Sequence, residues 1–341
     1  MTPPRIAVII LNWNGKDDTL ACLESVTSID YPDFQAVVVD NGSSDGSVEA
    51  FRQAFPQVTV LETGKNLGYA GGNNVGIRWA LDQGFDGLLV LNNDTVVDRH
   101  ILHAFATAQQ RFPKAGVFGA KIYYHAQPDV LWFAGGAWHP ESLRFRHIGK
   151  DKSDGPEFSA ARAFDYVTGC ALYASADVFR TIGLFDEAFF LTYEETDWCY
   201  RARAQRFECI YIPEAILWHK VSVSFGGPTS PLVNYFMTRN ILLWARKHLP
   251  IRERMRLYRQ TLSKLRRILL PPFVLTEDDL SLAKKIFWAI TSWRKNLSAN
   301  LANPTHRTTL MAVRDHILCR YGDCPSEVRV LAQRKNVESS Q

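Results

Sequence analysis

Apolar runs and helical patterns alternate through the first hundred residues. Residues 5–13 (RIAVIILNW), 36–40 (AVVVD), 58–62 (VTVLE) and 87–92 (GLLVLN) read as strands. Asp17 to Ser28, Ser47 to Ala54 and Gly72 to Asp82 read as helices between them. Continuous apolar strands separated by helices predict an α/β unit with a mostly parallel sheet covered on both faces. In such sheets the ligand crevice lies at the carboxyl ends of the strands. Three of the four strands end in polar residues: Asn12 with Asn14, Asp40-Asn41-Gly42, and Asn92-Asn93-Asp94. Polar side chains are costly at the end of a buried strand unless that edge is the crevice.

Gly116 to Gly149 is rich in aromatics and glycine and reads as hairpins added to the sheet, and Lys150 to Glu157 as an exposed, mobile loop. The texture changes after residue 230. Helical patterns cover residues 234–249, a segment to Leu270, Asp279 to Leu297 and His306 to Tyr321, broken at Pro250, Pro271-Pro272 and Pro304. The expected division is 1–230, a catalytic domain, and 231–341, a helical appendage. No internal repeat is visible, and RKNVESSQ reads as a frayed tail.

Composition narrows the class. With 341 residues, 46% hydrophobic and 22% charged, the chain reads as soluble globular protein. A net charge of +4 gives no reason to expect nucleic acid as a partner. The six cysteines show neither CxxC nor zinc spacing, so reduced thiols are expected rather than a disulfide framework. The first apolar run is interrupted at Asn12, too early for a signal peptide, and no stretch nears the ~20 residues that cross a bilayer. A cytoplasmic location is expected. Arg246 to Arg267 carries nine basic residues against Glu253 alone, with leucines interleaved. This is either a helix lying on an anionic membrane face or one packed on the catalytic domain with solvated arginines.

Four stretches bear chemistry. In Asp40-Asn41-Gly42-Ser43-Ser44-Asp45-Gly46, an acid ending a strand can accept hydrogen bonds from a nucleobase or ribose; the same residues make a good turn. In Asn66 to Asn74 (NLGYAGGNN), glycines allow close backbone approach and a helix N-terminus suits a diphosphate; a plain helix entry explains it equally. The stretch is neither GxGxxG nor a Walker loop. Asp94 is a hard oxygen ligand suited to Mg2+ or Mn2+, and His219 could complete its site. Glu194, Glu195 and Asp197 sit at a helix start, where the dipole favours them. Crowding beside apolar side chains would also keep one carboxyl basic enough for proton abstraction.

The ordered series LNWNG, VVDNGSSDGS, NLGYAGGNN, LNNDT, GCALYAS, GLFDEAFFLTYEETDWCYRA and LWHKVSVS resembles the family 2 glycosyltransferases, in particular their rhamnosyltransferase-like branch, over Ile6 to Leu249. The resemblance implies a GT-A fold, a dTDP- or UDP-sugar donor, a divalent metal, inversion at the anomeric carbon, and a glycan or lipid-linked saccharide acceptor in cell-surface polysaccharide synthesis. It places Asn12, Asp40 and Asn41 at the nucleoside, Gly71, Gly72, Asn73 and Asn74 near the donor, and Gly169, Cys170 and Trp198 on the acceptor side. Asn92-Asn93-Asp94 stands where the family has Asp-x-Asp, leaving Asp94 as the metal-binding acid beside His219. Glu194-Glu195 matches the Glu-Asp base motif with Glu195 at the second position and Asp197 as a rival base. A non-catalytic sugar-nucleotide binder of the same fold is the alternative. A nucleotidyltransferase would need a basic, glycine-rich loop after the first strand, which LNWNGKDD lacks.

Overall fold

The first strand, β1 (Ile6–Asn12), runs from Ile6 to Ile10 with every residue fully buried. Burial of each isoleucine and valine here contributes roughly 1.5–3 kcal/mol, which favours an inner position for β1, between the strands Gly87–Asn92 and Phe34–Asp40. The computed structural model describes residues 3–221, 230–271 and 282–339. It divides into two compact units, Met1–Ser222 and Val223–Gln341.

In the first unit β1 is followed by α1 (Lys16–Val26), β2 (Phe34–Asp40), α2 (Ser47–Ala54), β3 (Thr59–Glu62), α3 (Gly68–Asp82), β4 (Gly87–Asn92), β5 (Thr95–Val97) and α4 (Ile101–Arg111). Then come β6 (Ala115–Tyr124), β7 (Gln127–Phe133), β8 (Gly136–His139), β9 (Arg144–His147), β10 (Lys152–Ser153), β11 (Arg162–Phe164), β12 (Ala171–Ser175), α5 (Ala176–Ile182), α6 (Glu194–Ala204) and β13 (Glu208–His219). Strands β3, β2, β1 and β4 are parallel neighbours, and β12 joins β4 antiparallel. The sheet continues through β6 and β7 to β10. Strand β13 lies parallel along β6 and pairs antiparallel with β5 and β11.

Two glycines bring α3 against this sheet. A Cβ on Gly72 would stand 2.4 Å from Leu11 Cδ1, and one on Gly76 2.4 Å from Ile9 Cγ2. The expected hairpins of 116–149 are present: β6 and β7 form one within the large sheet, and β8 and β9 form another. Strand β6 is also an inner strand, buried over most of its length. Lys150 to Glu157 is exposed, as expected, but tethered: Lys152–Ser153 forms the short edge strand β10, and Asp154 accepts from buried Lys121 Nζ (2.7 Å) and Tyr123 Oη (2.6 Å). One ion pair anchors what composition marked as mobile.

The second unit is helical: α7 (Pro231–His248), α8 (Ile251–Leu269), α9 (Leu282–Ala302), α10 (Pro304–Ile317) and α11 (Ser326–Ser339). Asn303 caps α10 by accepting from the Thr305 and His306 N–H groups, with Pro304 at the first helical position. Asn234 on α7 donates to Thr308 and Thr309 of α10, and buried Arg239 lies against the rings of Tyr235, Phe236 and Tyr321. The predicted frayed tail is instead helical backbone to Ser339, while residues 340–341 and the expected start of α9 at 279–281 lie outside the described residues. Among the described residues no helix is long and apolar enough to cross a membrane.

Candidate active site

Sheet register brings the polar strand ends together. Asn12 on β1 stands opposite Asp40 on β2, and Leu11 opposite Asn92 on β4. At the β1–β2 side every polar group is engaged. Asn12 Nδ2 donates to Asp40 Oδ1 (2.9 Å) and Ser43 Oγ (3.0 Å), and Asn12 Oδ1 accepts from Thr19 Oγ1 (2.9 Å). Asp40 Oδ2 accepts from the Ser43 N–H (2.9 Å). Asn41 accepts from the Leu67 N–H (2.9 Å) and donates to the Gly68 carbonyl (3.1 Å). These three buried side chains hold the loops after β1, β2 and β3 in one arrangement.

The start of α3 is also engaged. It begins at Gly68 rather than Gly72, and the Phe190 carbonyl accepts from the Tyr69 (2.6 Å) and Ala70 (3.3 Å) N–H groups. The N–H groups of Leu67 and Gly68 go to Asn41 and Asn66. The expectation that this helix end offers free donors to a diphosphate is therefore corrected: protein acceptors occupy them. Gly71 and Gly72 serve close packing, with a Cβ on Gly71 2.8 Å from Leu67 Cβ. Asn74 clasps the chain near Phe185, whose carbonyl and N–H it bonds at 2.9 and 3.0 Å.

The β4 and α6 side differs. Asp94 follows β4, and β13 pairs His219 with Thr95 of β5, so His219 Nε2 stands 3.0 Å from Asp94 Oδ1. Both are largely buried, and Trp132 presents an edge to His219 with centroids 4.5 Å apart. A carboxylate oxygen and an imidazole nitrogen at this spacing suit adjacent ligand positions of a Mg2+-sized ion with bonds of ~2.1 Å. Among the described residues no group of three or more His, Cys, Asp or Glu surrounds a cation position. Such an ion would draw its remaining ligands from water and a substrate's phosphates, the usual habit of Mg2+. Asn93 donates to Thr19 Oγ1 (2.9 Å), and the Asn92 N–H donates to the Cys170 carbonyl (3.0 Å).

Helix α6 begins after a strained approach: Phe190, Thr192 and Tyr193 have φ of 63°, 66° and 74°. Non-glycine residues there cost about 1–3 kcal/mol each and persist where surrounding packing dictates them. Glu194 is 4% exposed, and burial, then Glu195, pushes its carboxyl well above the usual range. Glu195 is partly exposed, yet burial of its carboxyl pushes it up to about 7. One turn on, Asp197 is fully buried and accepts from Arg201 Nε (2.8 Å), whose other nitrogens donate to the Ile182 and Leu184 carbonyls. Asp197 as a rival base is therefore corrected to a structural ion pair. Trp198, expected beside the acceptor, lies in the core: it is fully buried, packs on Phe179 and donates to the Gly183 carbonyl (2.7 Å). Cys170 is likewise 2% exposed, with its thiol pushed well up by burial and by nearby Asp94, so it lines no open pocket.

Five buried atoms of the predicted set have no hydrogen-bond partner among the described residues: Asn73 Oδ1, Asn92 Oδ1, Glu194 Oε2, Glu195 Oε2 and His219 Nδ1. Folded proteins leave few such atoms, and each calls for an explanation such as strain, a bound water or ion, or a catalytic role. Tyr69, quoted in a motif but not singled out there, joins these groups. Burial pushes its phenol well up, with Glu194, Glu195, Cys170 and Asp94 all adding. Its hydroxyl donates to the Gly169 carbonyl (2.6 Å), and a Cβ on Gly169 would lie 2.6 Å from the Tyr69 hydroxyl oxygen. Trp132 was also missed; an aromatic in a glycine-rich hairpin carries no distinguishing signal. A separate cavity of about 610 Å³ lined by Arg162, Arg203 and Arg206 touches none of the candidate residues.

The architecture matches GT-A glycosyltransferases. A mannosyltransferase from Pyrobaculum calidifontis, solved with GDP-Man and Mn2+, aligns over 93% of this chain and 88% of its own at a TM-score of 0.53 and 13% identity. The model of glycosyl transferase family 2 matches residues 7–169, just under half of the chain. Its relatives fall in the rhamnosyltransferase-like branch. A low-salt glycan biosynthesis hexosyltransferase of Haloferax volcanii is 30% identical over 59% of this chain and 62% of its own length. An N-acetylglucosaminyl-diphospho-decaprenol L-rhamnosyltransferase of Mycobacterium tuberculosis is 28% identical over 61% and 73%. The chain thus spans under two thirds of the first relative's length.

Proposed function

We propose that the chain is an inverting, metal-dependent transferase. It moves rhamnose or another hexose from a nucleotide-diphosphate donor to a hydroxyl of a glycan or lipid-linked acceptor at the cytoplasmic face of a membrane. The observation carrying this reading is that Tyr69 ties the two candidate groups together: its hydroxyl donates to the Gly169 carbonyl, beside the Cys170 carbonyl that accepts from the Asn92 N–H, and its N–H donates to Phe190, four residues before Glu194. The relatives' names, which include a rhamnosyltransferase acting on a diphospho-decaprenol-linked sugar, support the donor and acceptor classes.

Asp94 and His219 would hold the divalent ion, which when bound neutralises the charge growing on the departing diphosphate. Glu195, with a carboxyl near 7, takes the proton from the acceptor hydroxyl. The hydroxyl oxygen forms its bond to C1 from the face opposite the diphosphate, which leaves with the electrons of the broken C–O bond. Burial and the adjacent Glu195 push the Glu194 carboxyl well above the usual carboxylate range, so the two neighbours titrate as a pair. Asn12, Asp40 and Asn41 shape the nucleoside end through the loops they fix.

Thermal unfolding with a panel of nucleotide sugars, with and without Mn2+, tests the reading. One donor should raise the midpoint only with metal, and Asp94→Asn should abolish that shift. A donor that binds but is never consumed, even with acceptor and Mn2+, would favour the non-catalytic sugar-nucleotide binder instead.

A further inference from the structure

Helix α8 has an apolar arc wider than its packing needs. Leu257 and Ile268 are its buried residues, yet Ile251, Met255, Leu262 and Leu269 are 58%, 43%, 65% and 41% exposed. At 3.6 residues per turn those four fall within about 40° of one another, a single stripe along the whole helix. Arg252, Arg259 and Arg266, seven residues apart and all exposed, run beside it on the flank away from the buried face. The helix carries seven basic residues against Glu253 alone. In the same unit Phe287 and Trp288 on α9 are 69% and 54% exposed. Single exposed apolar residues are ordinary; an aligned stripe with a basic border marks a docking face.

We propose that this face of α8 seats the protein on an anionic lipid bilayer. The stripe enters the boundary between headgroups and acyl chains, and the arginine border meets the phosphates. Charge selects the occupant, since a face bordered by cations suits a negatively charged lipid surface and would repel a second copy of itself. Arginine adds to this fit, because its long stem covers apolar surface while its guanidinium stays at the polar boundary. The proposal deepens the proposed function by naming what the helical unit binds: the surface on which a lipid-linked acceptor is held. It rests on that reading only for its purpose, not for its geometry.

Flotation of the full chain with vesicles of phosphatidylglycerol mixed with phosphatidylcholine is the test, against phosphatidylcholine alone, at low and high salt. Binding should require the anionic lipid and weaken with salt. Replacing Arg252, Arg259 and Arg266 together by Gln should weaken it about fivefold per charge, on the order of a hundredfold in all. Leu262→Ser should also weaken it, while both variants keep the wild-type unfolding midpoint because every altered side chain is exposed. Equal binding to neutral vesicles, or a triple variant that binds like wild type, overturns the proposal. So does a concentration-dependent dimer that the Leu262→Ser change dissolves, since the stripe would then cover a second copy. Donor stabilisation in vesicle-free buffer keeps the readings apart. Its survival with lost flotation condemns the lipid face, and its loss with intact flotation condemns the transferase.

Discussion

Two polar clusters sit along one edge of the same sheet and are built on opposite terms. At β1 and β2, Asn12, Asp40 and Asn41 satisfy one another and the neighbouring loops. At β4 and α6, Asn92, Glu194, Glu195 and His219 each keep a buried atom without a partner among the described residues. An unpaired buried group costs about 1–3 kcal/mol, so the second cluster is a stability burden that the first is not. Residue type does not predict the difference, since Asn12 and Asn92 are the same amino acid at equivalent strand ends. The same contrast recurs within one helix: Glu195 has an unpartnered oxygen, while Asp197, two residues on, is held by Arg201.

The sharpest way to break that contrast is Glu195→Gln. Transfer should fall about 10²–10⁴-fold with donor-induced stabilisation retained, because a base acts in the chemical step and not in donor binding. Single-turnover rates and thermal shifts, measured on one preparation, decide it; loss of donor binding in step with rate would make Glu195 part of the scaffold. Trp198→Ala should act through stability alone, by about 3–5 kcal/mol in urea unfolding, since a buried indole is replaced by a cavity. A folded Trp198→Ala protein with a specific defect in acceptor affinity would return that residue to the acceptor side. Asn12→Ala should lower stability by about 1–3 kcal/mol, with turnover per folded molecule changed far less than by Glu195→Gln.

The smallest expected effect is on pH dependence. With the Glu195 carboxyl near 7, transfer should rise with pH up to about that value and then level. Stability should move the other way. The folded state binds this proton more tightly than the unfolded chain, whose glutamates titrate near ~4.3, so stability falls as pH rises from there to about 7. Glu195→Gln should flatten both curves. A rate profile with its limb elsewhere would detach the limb from Glu195.

The sequence by itself determined the parallel half of the sheet, because runs such as IAVIIL and GLLVL have few other ways to bury both faces. It also placed Asn12, Asp40 and Asn92 at the ends of those strands, which the register brings to one edge of the sheet, and the order of its motifs carried the family resemblance. It did not show that β6 lies inside the sheet, that Asp154 ties down a polar loop, or that Phe190 closes the start of α3. Each is a contact between residues far apart along the chain, and periodicity is blind to those. Nor did it separate Glu195 from Asp197 or expose Trp198 as core. Spacing puts a carboxylate on a helix, but only packing decides whether an arginine reaches it. The tertiary structure decided which polar groups are satisfied, because satisfaction depends on the distance and direction of groups that the fold alone brings together.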